Sequence, residues 1–350
     1  MSEHQNFDFN KEKLEAYIDK LNEPRVLIIG DMGIDEMIYG DTERISREAP
    51  VLILRHSNTK IILGQAANAA HNLATINGGK VSAIGLYGDD YYGPMLLDAF
   101  KKAGINTEYM VQDKGRPTTV KSRISGASFH SVTQQIVRID RVQTAAPDRE
   151  TEDKIIENIE KAMPLHDAVI LSDYNIGLLT DRIISSTVEI AKKHNKIVVA
   201  DVQKDMSRYK GVYALTPNQP DSEKAVGYFI KDEQTLNNAG SDILKMTEAQ
   251  VLLLTRGGDG MAVFEAGKNI HTDVPVFNKT NVFDVTGAGD TVVASFTLAL
   301  AAGAEPKYAA IIGNIAASIV IRSFGCATTS IEEIKMSLNK MNMNNYTIKV

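Results

Sequence analysis

The chain has no tryptophan and one cysteine, Cys326. A single thiol excludes an intrachain disulfide and a thiolate-built metal centre. The first residues, MSEHQNFDFN, lack the basic-then-apolar order of a secretory leader. Long apolar runs are missing too. Those near 292–304 and 309–321 are broken by Ser, Thr, Gly or Asn and are too short to span a bilayer. Basic residues (38) are fewer than acidic ones (44), and the net charge of −6 argues against a nucleic-acid surface. There is no internal repeat and no low-complexity segment. The seven histidines show no ligand spacing, and His71 reads as a packing residue on its helix. These exclusions leave a cytoplasmic protein in a reducing compartment as the expectation, with no membrane and no nucleic acid as partner.

What is present suits a large α/β core. The 350 residues include 43% hydrophobic and 23% charged positions. Residues 1–22 read as a polar extension with a short helix over 10–21, and 23–345 as the main domain. Buried strands are predicted at 25–31, 80–88, 167–173, 196–202, 213–218 and 250–257. Helices are predicted at 66–76, 91–104, 150–162 and 180–194, twice between 218 and 250, and at 287–302 and 305–323. Alternation of this kind implies a mostly parallel sheet covered by helices on both faces. Asp31, Asp173, Asp201, Asn218 and Gly257 each follow a strand, so they should gather along one rim, where such sheets bind ligands. Two segments differ, 34–63 and 117–140. Their half-polar, alternating runs predict a small β-sheet outside the main core, with a hairpin turn at 126–130.

The most informative stretch is FDVTGAGDT (283–291), followed at once by an apolar helical run. Gly287, Ala288 and Gly289 carry almost no side chain, so backbone N–H groups can approach an anion at a helix start. Asp290 stands in the same turn. A carboxylate there suits a transferring phosphoryl group whose attacking hydroxyl gives Asp290 its proton. Taken alone, the stretch also fits a helix start capped by small residues, with Asp290 complementing the helix dipole.

Together the motifs resemble the ribokinase-like (phosphofructokinase B type) carbohydrate kinases over roughly 24–330. DVTGAGDT is similar to that family's carboxy-terminal signature and GQAANAAHNLATING (64–78) to its amino-terminal one, with Asn68 in place. GDDYYG (88–93), TPN (216–218) and TRGGDG (255–260) match in order. YGDTERISREAPV (39–51), VKSRIS (120–125) and QQIVRID (134–140) resemble more narrowly the D-glycero-β-D-manno-heptose 7-phosphate kinases of lipopolysaccharide core synthesis. In many of those an adenylyltransferase domain follows. Here the chain ends at Val350, so the expectation is a stand-alone kinase with a separate adenylyltransferase in the pathway.

The resemblance implies a ribokinase-like fold with a β-sheet lid, ATP with Mg2+ as cofactors (K+ is left open), and a phosphosugar substrate. It makes Asp290 the general base, with the amides of Ala288, Gly289 and Asp290 as an anion hole. TRGGDG lacks the G-K-[ST] ending of a Walker loop and resembles the family's nucleotide loop, which places Thr255, Gly257 and Gly260 near ATP. Asn314 falls near the adenine. Asn218, Asp221 and Glu223 would act on Mg2+ largely through water. For the sugar, Asp31, Asp35, Gly64 and Asn68 are the candidates. A second phosphate on the substrate would need cations, and Arg44, Lys121, Arg123 and Arg138 lie on the polar strands. Lys204 and Arg208 are further rim candidates. A homodimer through the lid sheets is expected, with Ile53, Ile124 and Ile136 needing cover.

Three positions depart from the family pattern. Gln65 stands for the usual second glycine, Ile176 for the lysine of DYxKG, and Asp221 for the glutamate of Asn-x-x-Glu, with Glu223 two further on. The alternatives are another ribokinase- or fructokinase-type kinase, or a catalytically silent relative that binds sugar or nucleotide. A nicotinamide-dependent dehydrogenase is disfavoured, because GDMGID stands where G-x-G-x-x-G would be needed.

Overall fold

A computed structural model describes residues 6–7, 10–127, 133–268, 271–277, 284–323, 325–340 and 348–349. In chain order the elements begin with β1 (Asn6–Phe7), α1 (Lys11–Asp19), β2 (Val26–Gly30), β3 (Met32–Ile45), β4 (Leu52–Gln65) and α2 (Ala66–Asn77). Next are β5 (Val81–Ile84), β6 (Leu86–Gly88), α3 (Tyr92–Lys102), β7 (Val111–Asp113), β8 (Thr119–Ala127) and β9 (Gln134–Arg141). The central part holds α4 (Arg149–Ala162), β10 (Ala168–Asp173), α5 (Asp181–Lys193), β11 (Ile197–Val202), β12 (Ala214–Leu215), α6 (Gln219–Val226) and α7 (Glu233–Thr247). The last third holds β13 (Val251–Thr255), β14 (Met261–Glu265), β15 (Thr272–Val274), α8 (Ala288–Ala301), α9 (Pro306–Val320), α10 (Ile331–Asn339) and β16 (Ile348–Lys349).

Ten strands form the main sheet in the order β1-β16-β15-β14-β13-β12-β11-β10-β2-β5. From β13 to β5 the pairing is parallel, and β14, β15, β16 and β1 continue it antiparallel. The parallel strands are apolar at almost every position, as strands covered on both faces must be. One core, with Leu73, Phe296 and Ile311, fills one face; the other, with Ile159, Ile183 and Ile243, fills the opposite face. The expected mostly parallel sheet with helices on both faces is therefore what the chain forms.

Residues 10–21 are more than an extension. Asn10 caps α1 by accepting from the Lys13 amide, and Leu14, Ile18 and Leu21 are fully buried in the core. The expected strand over 80–88 is split into β5 and β6, and β6 pairs with β7 instead of joining the main sheet. The edge strands β14 to β16 and the helix α10 are additions that the motif reading did not anticipate.

The separate sheet has the order β4-β3-β8-β9. β3 and β4 form one long antiparallel hairpin; β3 pairs with β8 in parallel and β8 with β9 antiparallel. Residues 128–130 of the predicted hairpin turn lie outside the described residues. Register sorts the side chains between two faces, because cross-strand neighbours share a face. Asp35, Lys121 and Asp140 are neighbours in one row, and Met37, Arg123 and Arg138 in the next. Ile38, Ile124 and Val137 form a row on the opposite face. This is the small separate sheet that the alternating runs predict; one face carries Asp35, Lys121 and Arg123, and the other mixes Ile38, Ile124 and Val137 with Glu36, Ser122 and Arg141.

Candidate active site

The site is built around the start of α8. Gly287 takes the left-handed N-cap conformation, φ +79°, and a Cβ there would stand 2.6 Å from the Asn68 amide nitrogen. Only glycine meets both conditions at low cost. Facing Gly289 the space is open, since a Cβ there would meet nothing within 4 Å. As residues of the first turn of α8, Gly289 and Asp290 have backbone N–H groups with no intrahelical acceptor. That of Ala288 donates to the Val285 carbonyl at 3.2 Å. Of the three amides expected to form an anion hole, the turn that starts the helix takes up that of Ala288 and leaves those of Gly289 and Asp290 as the candidates.

Asp290 is buried, 5% exposed, and both its oxygens are held. Asn68 Nδ2 donates to Oδ2 at 2.7 Å, and the Tyr174 hydroxyl donates to Oδ1 at 2.7 Å. Burial pushes the carboxyl up to about 6, the Asn68 and Tyr174 donors pull it back, Asp35 raises it and Lys121 lowers it. A carboxylate near pH 6 is mostly ionised at neutral pH yet basic enough to take a proton, as a general base requires. Asn68 is itself fixed from α2: Asn72 Nδ2 donates to its carbonyl at 3.0 Å, and Asn72 Oδ1 accepts from the Thr291 hydroxyl at 2.8 Å. This strut ties α2 to α8. The Asn68 side-chain oxygen is buried without a partner.

On the lid side stands Asp35, buried at 5% exposure. Arg123 Nη2 lies 3.5 Å from its Oδ2, and the Cys326 thiol 3.8 Å from the same oxygen. Gly64 leaves room for it, since a Cβ there would stand 3.2 Å from the Asp35 Cγ. Lys121, next to Asp35 in register, sits with its ammonium 5.5 Å from the Tyr174 ring centre, and burial lowers its pKa. Asp35, Met37, Arg123, Asp284, Thr286 and Cys326 line one cleft, on the sugar side by the sequence reading.

Other candidates are placed differently. Asp31 is at the strand end, but its carboxylate accepts from the amides of Tyr174 (2.9 Å), Ile176 (3.2 Å) and Leu178 (3.2 Å). It orders the 174–178 loop and so holds Tyr174 in place, instead of facing a sugar. Burial, then Asp173, pushes Asp31 up to about 6. Arg138 is in register with Arg123, yet Asp140 grips its guanidinium at 2.8 and 2.9 Å. Arg44 does not join the cluster. It lies nine positions along β3 from Asp35, roughly 30 Å at strand rise, at the exposed end of the lid. Arg208 is engaged with Asp181 at 2.6 Å and lies 3.6 Å from Asp173.

Along the rim the acids continue. Asp201, at the end of β11, accepts from the Thr216 hydroxyl at 3.2 Å; burial, then Asp290, pushes it up to about 7. Asn218 caps α6 by accepting from the Asp221 amide at 2.8 Å and donates back to the Asp221 carboxylate at 2.8 Å. Asp221 also takes Lys224 at 2.8 Å. Glu223 Oε1 accepts from the Ile230 amide and the Gln219 side chain, each at 3.0 Å, so this oxygen is taken up by the loop after α6. Asn218 bridges to Thr255, which brings the TPN and TRGGDG segments together. Gly257 (φ +54°) faces open space, and Gly260 (φ +86°) must be glycine, since a Cβ would stand 2.3 Å from the Val274 carbonyl oxygen. Asn314 donates to the Pro275 carbonyl at 2.5 Å and so pins the segment after β15 to α9.

The row therefore runs from Asp35 through Asp290 and Asp201 to Asp221 and Thr255, an acceptor side to a loop side with an acid between. Tyr174, Asn72 and Cys326 were missed in the sequence. Only Tyr174 left a signal there, as the residue directly after a strand that ends on the rim.

The bifunctional protein HldE of Desulfatibacillum aliphaticivorans is 39% identical over 318 residues, 90% of this chain and 63% of that protein. HldE of Aliarcobacter butzleri (strain RM4018) is 36% identical over 327 residues, 92% of this chain and 67% of that protein. The chain thus spans roughly two thirds of these relatives' length. Arabidopsis thaliana ribokinase complexed with ribose and ATP superposes with a TM-score of 0.69 at 17% identity, covering 90% of this chain and 98% of that one. Escherichia coli phosphofructokinase-2 with fructose-6-phosphate gives 0.71 at 16% identity, covering 91% and 99%. At that identity the two structures speak for the fold alone, which is ribokinase-like. The model of the pfkB family carbohydrate kinases matches residues 24–334. The chain belongs to the pfkB family of carbohydrate kinases, phosphotransferases with an alcohol group as acceptor.

Proposed function

We propose that the chain is an ATP-dependent kinase of D-glycero-β-D-manno-heptose 7-phosphate, which forms the 1,7-bisphosphate on the way to ADP-heptose for the lipopolysaccharide core. The observation that carries this reading is Asp290, a buried carboxylate near pH 6 at a helix start, beneath a lid face that presents Lys121 and Arg123 beside Asp35. The acceptor hydroxyl hydrogen-bonds to Asp290, which takes its proton as the oxygen attacks the γ-phosphorus. The amides of Gly289 and Asp290 and the α8 dipole stabilise charge on the transferring group, and ADP leaves along the rim towards Thr255 and Gly257. Lys121 and Arg123 would hold the substrate's own phosphate.

The oxygen donors on the rim suit Mg2+, a hard cation that keeps most of its waters. Both Asp221 oxygens are engaged, by Asn218 and Lys224, and Glu223 Oε1 is taken up by the loop after α6, so either carboxylate would act on the ion through its waters. When bound with the nucleotide, the ion neutralises phosphate charge. Among the described residues no three His, Cys, Asp or Glu side chains form a dedicated metal cluster. No described helix is long and apolar enough to cross a membrane.

A homodimer through the lids belongs to the same reading. Ile136, Val137 and Ile139 are 44–48% exposed, and Leu52 is 48% exposed, on a sheet otherwise covered on one side only. Ile53 and Ile124 are half-buried in one protomer.

A second reading, a ribokinase- or fructokinase-type kinase, is favoured by Ile176, which removes a positive charge from the rim. A panel of free and phosphorylated sugars separates the two, with ADP release as the readout. The heptose 7-phosphate should give the highest kcat/KM. Preference for an unphosphorylated sugar would move the assignment to the second reading.

A further inference from the structure

Asp290 is gripped on both oxygens, and the two donors come from unrelated parts of the chain. Asn68 belongs to a motif whose role was expected. Tyr174 does not. It follows β10, its ring is flanked by Lys121, and its hydroxyl donates to Asp290 Oδ1 at 2.7 Å. Its backbone is fixed as well, because the Tyr174 amide donates to Asp31 at 2.9 Å. A buried aspartate thus anchors the loop that carries the phenol to the carboxylate.

We propose that Tyr174 is a positioning residue: its phenol holds the Asp290 carboxylate in line with the acceptor hydroxyl and keeps it ionised. This rests on Asp290 being the general base. Each carboxylate oxygen has two lone pairs, so Oδ1 can accept from Tyr174 and still receive the acceptor proton. The phenol keeps its own proton throughout, since burial and the neighbouring carboxylates hold its pKa well above the ordinary tyrosine value. The other groups facing Asp290 are Asp35 on β3, Lys121 on β8, Asp201 on β11 and Cys326 after α9. Of these only Lys121 favours the ionised form. Loss of one of two donors should therefore raise the base's pKa.

The test is the pH profile of kcat/KM for the sugar, with Tyr174→Phe and the unaltered enzyme in the same buffers, so that ionisation of the substrates' phosphates is common to both. Losing one charge-assisted donor should move the acid limb up by about one pH unit. Activity then falls about fivefold at pH 6, about twofold at pH 7 and hardly at all above pH 8. An equal loss at every pH, or a change in KM with an unshifted limb, would overturn the proposal. Should Tyr174→Phe not fold, 3,5-difluorotyrosine placed at position 174 is the second variant. Its stronger donor should move the limb down, and no movement would count against the proposal. Asp290→Asn is measured alongside. Full turnover there would remove the base itself, whereas an inactive Asp290→Asn with an unshifted Tyr174→Phe profile would remove only the role given to Tyr174.

Discussion

At the scale of single residues, the site depends on a carboxylate kept in an unfavourable place. Burial raises Asp290 from 3.8 to about 6, so the folded state binds its proton more tightly than the unfolded state does. Stability from this group is therefore full below about pH 4, falls as pH rises towards 6, and stays reduced above it, by on the order of 3 kcal/mol. Asp290→Asn should lose ~10²–10⁴-fold in kcat while keeping nucleotide binding. It should also unfold at a higher temperature than the unaltered protein at pH 8, with the gap closing near pH 4. Turnover near the original rate, or a lower unfolding temperature at pH 8, would count against this account. Arg123 is the second residue to test. If it binds the substrate's phosphate, Arg123→Ala should raise KM for the phosphosugar by roughly 10–150-fold, the equivalent of one charge-assisted hydrogen bond, and leave KM for ATP almost unchanged. Equal small effects on both substrates would reduce Arg123 to a structural partner of Asp35.

At the scale of elements, the junction of β4 and α2 is the strained place. Gln65 has φ +57°, in the left-handed region, and both ends of its buried amide lack a partner. The side-chain oxygen packs against Gly33, where a Cβ would come within 2.3 Å of it. A non-glycine residue held at positive φ with ψ −136° costs roughly 1–3 kcal/mol, and an unpartnered buried amide about 1–3 kcal/mol. Gln65→Gly should therefore raise the urea midpoint, although it removes side-chain packing. A lower midpoint would mean that the packing of Gln65 at the lid's root outweighs both penalties. The same junction shows what sequence could and could not give. The departure from glycine is visible in the letters GQAAN, but the strain and the missing partners require the fold. The lid was likewise legible as alternation in 117–125 and 131–140, whereas the register that lines Asp35, Lys121 and Asp140 in one row was not.

At the scale of the whole molecule, the lid leaves Ile136, Val137, Ile139 and Leu52 exposed on one sheet. A free sheet edge and exposed apolar side chains both invite a partner. The protein should scatter light as a species of about twice its 38.3 kDa mass at micromolar concentration. Ile136→Asp should return it to the single mass and reduce activity in step. A single mass for the unaltered protein would leave a monomer whose lid serves only its own site.

The sequence by itself determined the layered α/β architecture, the rim of strand-end residues and the position of Asp290 at a helix start. These follow from local pattern: apolar runs of strand length, periodic helices, and small residues where a helix begins. Only the tertiary structure decided how the polar groups share their partners. Asn68 and Tyr174 meet Asp290 across 222 and 116 residues of chain. Asp31 turns to backbone amides, Ala288 closes a turn, Asp140 takes Arg138, and Arg44 stands far along its strand. A hydrogen bond forms only with the group that arrives within about 3 Å at a workable angle, and folding, not sequence spacing, decides which group that is.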